Sequence, residues 1–254
     1  MPKAREAALK AVQLDSLGEA HASLALVIDE ADLDVAAADH EYRRALELSP
    51  NYPSAYHWHS INLAERGRID EALAEARRAV ELDPLSLPLN QNLADVLGYA
   101  HRYDDAIRQY HHTLDLDSAH ADEHELMGWI YYVSGNTDAA QREWQTWADS
   151  TTDRVQGKLR SEALKVWKRA GPEAYFRFLA TSQIKQSETE YVPPSFIADY
   201  YAWAGDGDAA FQWLQKAIDE PDNYVLYLRI DPAFDKLHSD PRYQQLLKRL
   251  KLDR

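Results

Sequence analysis

From Ser54 to Leu82 the chain reads SAYHWHSINLAERGRIDEALAEARRAVEL. Apolar residues recur three and four apart, the pattern breaks at a glycine, and a second run with the same spacing follows. That period predicts two amphipathic helices, and so short a connection makes them antiparallel. The same pairing returns as DEHELMGWIYYVS followed by AAQREWQTWAD. Two marks punctuate it at fixed distance. ALELSP (Ala45 to Pro50), AVELDP (Ala79 to Pro84) and TLDLDS (Thr113 to Ser118) end 34 residues apart. GRIDEA, HRYDDA and GNTDAA place Asp70, Asp104 and Asp138 at the same interval, and GDGDAA recurs at Gly205 to Ala210. The glycine predicts a left-handed residue closing the first helix, the aspartate three positions on a cap for the second, and the proline a stop. Ala72, Ala106, Ala140 and Ala210 are small where the helices must approach closely. Neither helix covers its apolar face alone, so the pairs are expected to stack.

These residues resemble the tetratricopeptide repeat family, whose unit is 34 residues. With Pro84 at the family's position 32, one repeat runs from Pro53 with Tyr56, Leu63, Gly67, Ala72 and Ala79 in place. The next carries Leu93, Ala94, Leu97, Tyr103, Ala106 and Tyr110, and the one from Ala121 carries Met127, Gly128, Tyr131, Gly135, Ala140 and Trp144. His59 and Ser60 stand where the family favours leucine and glycine. Around the first repeat LDSLGEAH is a residue short and VIDEADLDVAA a residue long.

The resemblance implies an all-α fold, a right-handed superhelical solenoid of antiparallel helix pairs. Residues 1–16 fit the second helix of an incomplete repeat, as in a chain cut from a longer protein. Residues 17–151 make four repeats (about 17–51, 52–85, 86–119 and 120–151), residues 152–190 a divergent helix pair, 191–221 a further repeat and 222–254 capping helices. In the divergent pair Val155, Leu159, Ala163, Val166 and Trp167 share one predicted face, followed by Tyr175, Phe176 and Leu179. Residues 192–219 return to the unit with Ile197, Ala198, Tyr201, Gly205, Ala210, Leu214 and Ala217. The C-terminal stretch resembles the end of tetratricopeptide regions in bacterial multidomain regulatory proteins. The winged-helix, kinase and cyclase domains that precede such regions are not in this sequence.

Charge narrows the function. With 42 acidic against 28 basic residues the net charge is −14, which disfavours direct binding to nucleic acid or anionic lipid. Without cysteine there is neither a disulfide nor a thiolate site. The opening MPKAREAALK has no apolar core after its charges, and no long apolar run follows, so a soluble, cytoplasmic chain is the expectation.

One stretch points to chemistry. His120-Ala-Asp-Glu123-His124 matches the H-x-x-E-H pattern of zinc hydrolases, in which two histidines hold the metal and the glutamate activates water. In the repeat register, however, the motif straddles a helix start, with His120 in the turn before it. No nucleotide-binding or nucleophile-elbow motif is present, and no cofactor is implied. The preferred reading is a non-catalytic protein-interaction scaffold. Family positions that face the concave groove map to His57, Trp58, Ile61 and Glu65; to Gln91, Asn92, Asp95 and Tyr99; and to Asp122, Glu125, Trp129 and Tyr132. These twelve residues carry no lysine or arginine, so a partner segment that is neutral to basic with apolar anchors is expected rather than an acidic tail. Two alternatives remain: a metal-dependent hydrolase built on His120, Glu123 and His124, and a self-association or spacer module pairing through the N-terminal helix at Ala8 and Val12.

Overall fold

The computed structural model describes residues 2–14, 17–118, 120–220 and 222–253; Asp15 and Ser16, within the short stretch before the first repeat, lie outside them. Among the described residues there is no strand. The helices are α1 (Pro2–Leu14), α2 (Gly18–Asp32), α3 (Val35–Leu48), α4 (Pro53–Glu65), α5 (Ile69–Leu82), α6 (Leu87–Tyr99), α7 (Tyr103–Leu116), α8 (Asp122–Val133), α9 (Thr137–Ser150), α10 (Arg154–Ala170), α11 (Pro172–Gln186), α12 (Pro194–Trp203), α13 (Gly207–Asp219) and α14 (Pro241–Arg249). Two 3₁₀ helices, Asn223–Arg229 and Pro232–Leu237, precede α14. The chain forms two compact units: Met1–Asp117 with Leu250–Arg254, and Ser118–Arg249. In the first, α2 packs on α3, α4 on α5 and α6 on α7; in the second, α8 packs on α9, α10 on α11 and α12 on α13.

The turn logic is visible residue by residue. Gly67, Gly135 and Gly205 all take positive φ, as the repeated mark requires. His101 (φ 56°) fills the same place without being glycine, and Leu33 (φ 51°) does so in the first pair. The expected aspartate caps are corrected. Asp70, Asp104 and Asp138 lie inside the first turn of α5, α7 and α9, and the capping position belongs to the residue after the left-handed one. There Asn136 accepts from Ala139 N at 3.3 Å and Asp206 from Ala209 N at 3.2 Å. Asp34 does the same for α3, accepting from Ala37 N. Where the capping residue is Arg68 or Arg102, no side chain caps; each guanidinium instead reaches forward to Glu71 or Asp105 in the first turn. The first-turn aspartates still face the positive end of the helix dipole, where their charge is favourable.

The four small residues Ala72, Ala106, Ala140 and Ala210 are fully buried. Gly128 shows what close approach demands. A Cβ there would sit 2.3 Å from Trp144 Nε1, so α8 lies against the indole of α9 with no room for a methyl group.

Residues 152–190 need a correction. Val155, expected inside, is 74% exposed, whereas Arg160 is 4% exposed. Ala163, Leu164 and Trp167 join Arg160 on the buried face of α10, and Tyr175, Phe176 and Leu179 are buried on α11 as the pattern predicts. After α13 the backbone tightens into 3₁₀ turns. Asp222 accepts from Tyr224 N and, from α12, Ser195 N, and Asp231 accepts from Ala233 N, so side-chain bonds hold these turns ahead of α14.

Candidate functional site

In the first unit α4 and α6 present the mapped residues. His57, Trp58 and Ile61 are half-buried. Trp58 packs against two alanine-rich clusters from α2 and α3, one with Ala22 and Ala45 and one with Ala25, Ala38 and Tyr42. Burial holds the His57 imidazole down to about 4, so it is neutral at physiological pH. Gln91 and Tyr99 are half-buried, while Asn92 is buried and donates to Ser60 Oγ at 2.7 Å. That bond explains the departure at Ser60, since a hydroxyl there receives an amide from the next repeat. The Asp95 carboxylate accepts from Tyr110 OH, and burial pushes it up to about 7 although that hydrogen bond pulls it down.

Glu65 is 5% exposed and does not stand alone. Asn62, one turn earlier on α4, donates from Nδ2 to both oxygens of Asp29 on α2, at 3.1 and 3.0 Å, and to Val35 O. Burial pushes Asp29 up to about 7, with the Asn62 bond opposing and Glu30 adding to it. Burial, then Asp29, then Glu30, raise Glu65 well above the carboxylate range. His59, the other departure from the family, is buried between Asp39 (Nε2 to Oδ1, 3.0 Å) and Glu75 (Nδ1 to Oε1, 3.3 Å). It substitutes polar contacts to two carboxylates for the usual leucine packing.

In the second unit Asp122 accepts from Trp147 Nε1 at 3.1 Å, and Glu125 pairs with Arg160. Arg160 also donates to Tyr175 OH at 2.8 Å and lies over the Trp144 and Trp147 rings, so its buried charge is compensated from several sides. Trp129 and Tyr132 enter a continuous aromatic group. Trp129 stacks on Phe176 (5.7 Å, 21°), Tyr200 (6.4 Å, 22°) and Trp203 (6.3 Å, 29°), and Tyr132 meets Phe176 edge-on at 5.1 Å. Phe176 is fully buried; Trp129, Tyr132, Tyr200 and Trp203 keep part of their surface open. The result is an aromatic basin drawn from α8, α11 and α12. Position mapping found Trp129 and Tyr132. It missed Phe176, Tyr200, Trp203 and Arg160, which lie in or beyond the divergent pair, and Asp29 and Asn62, which the groove positions do not include.

The H-x-x-E-H residues do not converge. His120 precedes α8, Glu123 is buried on it, and His124 Nδ1 lies 2.7 Å from Glu143 Oε2 of α9. Among the described residues, no group of three or more histidine, aspartate or glutamate side chains is placed to hold a metal ion. No helix of the described residues is long and apolar enough to cross a membrane.

No family model matches the chain. A stretch of 84 residues, 33% of this chain, is 29% identical to the small glutamine-rich tetratricopeptide repeat-containing protein 2 of Mycosarcoma maydis, and spans 24% of that protein's length. Among solved structures, the APC/C hetero-tetramer Cut9–Hcn1 aligns over 97% of this chain and 52% of its own, with TM-score 0.56 and 14% identity. PilF of Pseudomonas aeruginosa aligns over 95% and 86% (TM-score 0.51, 18% identity). YrrB, a tetratricopeptide protein with an unusual peptide-binding site, aligns over 88% and 97% (TM-score 0.50, 17% identity). The fold is that of tetratricopeptide-repeat proteins.

Proposed function

We propose that this chain, built on the tetratricopeptide-repeat fold, is a non-catalytic interaction scaffold. It holds an extended segment of a partner protein, neutral to basic in charge and anchored by apolar or aromatic side chains. The observation that carries this reading is the aromatic basin of Trp129, Tyr132, Tyr200 and Trp203 over Phe176. Large rings that remain partly open after folding retain apolar surface for a partner to cover, and aromatic residues are the usual energetic centres of interfaces. The absence of lysine and arginine from the mapped groove residues supports the charge preference, and the peptide-binding site named for YrrB is in keeping with it. Selection of random displayed peptides on the whole chain tests the reading. Enriched sequences should carry aromatic or aliphatic anchors with lysine or arginine and few acidic residues. Trp129→Ala, with helical content kept, should lose them; enrichment of acidic tails, or selection unchanged by Trp129→Ala, would contradict the proposal.

A second reading is self-association through α1; Ala8, expected at the contact, is buried at 7% exposure and Val12 is half-buried, so the surface left for it is Leu9 and Leu14, 42% and 77% exposed. Light scattering over a concentration series checks it: dimers dissociated by Leu14→Glu support pairing there, and a monomer at all concentrations removes it.

A further inference from the structure

In the first unit, α2 and α4 bring Asp29, Asn62 and Glu65 together below the exposed Glu30. The chain leaves this cluster with a defined deficiency. Asn62 is fully buried, its Nδ2 is committed to Asp29 and Val35 O, and its Oδ1 has no hydrogen-bond partner. Glu65 Oε2 is likewise buried and without one. Asn62 Oδ1 is an acceptor, and so is Glu65 Oε2 once its carboxyl is ionised, so what the ionised cluster lacks is a donor, and leaving buried polar atoms unpaired is costly. Charge says which donor. Asp29 is faced by Glu30, His59 and Arg66, and Glu65 by Asp29 and Glu30, while Tyr42 lies in the field of all three carboxyls. The two basic groups in reach are ion-paired elsewhere, Arg66 Nη1 with Asp39 at 2.8 Å and His59 with Asp39 and Glu75, although Arg66 Nη1 and His59 Nδ1 themselves make no hydrogen bond.

We infer that Asp29, Asn62 and Glu65 form a pocket for one basic side chain of the partner segment, the ammonium of a lysine or the guanidinium of an arginine, entering past Glu30. This rests on the proposed groove reading and specifies where that groove meets positive charge. Either cation brings several N–H donors to acceptors that have none, and charge-assisted bonds of this kind are the strong ones. Without a guest the buried carboxyls keep a proton between them, because two like charges so placed do not both ionise. Entry of a cation therefore displaces that proton and binding tightens as pH rises.

The test uses the full chain with small probes: Nα-acetyl-arginine amide, Nα-acetyl-lysine amide and uncharged Nα-acetyl-citrulline amide, followed through the Asn62 side-chain amide resonances. At pH 8, arginine or lysine amide should shift those resonances saturably, whichever moves them at lower concentration identifying the preferred cation, and the citrulline probe should not. Affinity should fall at least five-fold between pH 8 and pH 6. Glu65→Gln should weaken it at least five-fold while circular dichroism stays unchanged, and Asp29→Asn serves if that variant does not fold. Three results would overturn the inference: no saturable shift, an equal response to citrulline, or the same shift from sodium chloride alone, which would assign the pocket to an inorganic cation. A pocket that only titrates and binds no probe is a proton store and overturns it too. The groove reading is probed separately, through Trp129 and uncharged aromatic anchors, so this inference can fail while that one stands.

Discussion

The two units use one repeat to build different interiors. The first fills its helix contacts with alanine, Ala22, Ala25, Ala38, Ala72 and Ala76 among them, sets Asp29, Asn62, Asn92 and Asp95 in hydrogen-bonded positions, and leaves Glu65 Oε2 buried without a partner. The second fills the space with rings, Trp144, Trp167, Tyr175 and Phe176, and sinks one arginine among them. Small residues bring helices close and leave polar groups to find partners across the gap. Large rings create an interior whose edge remains apolar. The comparison teaches that register fixes where a side chain points, while its neighbours decide whether that position is a charged pocket or an aromatic wall.

The contrast can be broken most severely in the second unit. Trp144 is fully buried and meets Trp129, Trp167 and Tyr175, so Trp144→Ala should cost about 3–5 kcal/mol. Native-state hydrogen exchange should report that loss in α8 to α11. Arg160→Ala leaves Glu125 and Tyr175 OH without their buried partner and should cost about 3 kcal/mol. Denaturant melts that show Arg160→Ala within 1 kcal/mol of wild type, on the order of a surface change, would remove Arg160 from the core. Gly128→Ala forces a methyl group into the Trp144 indole and should destabilise by about 1–3 kcal/mol, visible as a lower midpoint at unchanged m-value.

In the first unit the expected effect is smaller and depends on pH. Asp29 and Glu65 are raised in the folded chain, chiefly by burial, so the folded state holds more protons than the unfolded one above the ordinary carboxylate range. Their contribution is fully present below about pH 4 and is lost as pH rises through the raised values, about 7 for Asp29 and well above the carboxylate range for Glu65. Glu65→Gln should therefore stabilise the first unit at pH 8 and much less at pH 5. Thermal melts at the two pH values check the sign; a variant less stable than wild type at pH 8 would show that Glu65 is paired, contrary to the unpartnered geometry.

Much of the helical architecture was legible because its causes are local. Apolar period, Gly67, Gly135, Gly205 and the buried alanines each act within one helix pair, and all stand where the pattern put them. Leu33 and His101 show the limit, since both hold a left-handed backbone that nothing in their own side chains announces. The aspartate marks sit inside the first turn, and side-chain capping falls to the residue before the helix only where that residue is Asn136, Asp206 or Asp34, not Arg68 or Arg102. For the candidate site, spacing pointed to Trp129, Tyr132 and Glu125 but not to what they meet. Arg160 looks like a solvated charge in a helical pattern, and Val155 like core; only the aromatic neighbours and Glu125, distant in sequence, reverse the two. Asn62 and Asp29 escaped for the same reason, their roles being defined by one another.

The proposed function depends on the basin in the second unit, and one titration reads it directly. A displayed peptide enriched on the whole chain, synthesised and titrated calorimetrically, should bind Trp129→Ala at least ten-fold more weakly than wild type, with helical content retained. Equal affinity for the two proteins would contradict the account and move the partner's anchor away from Trp129.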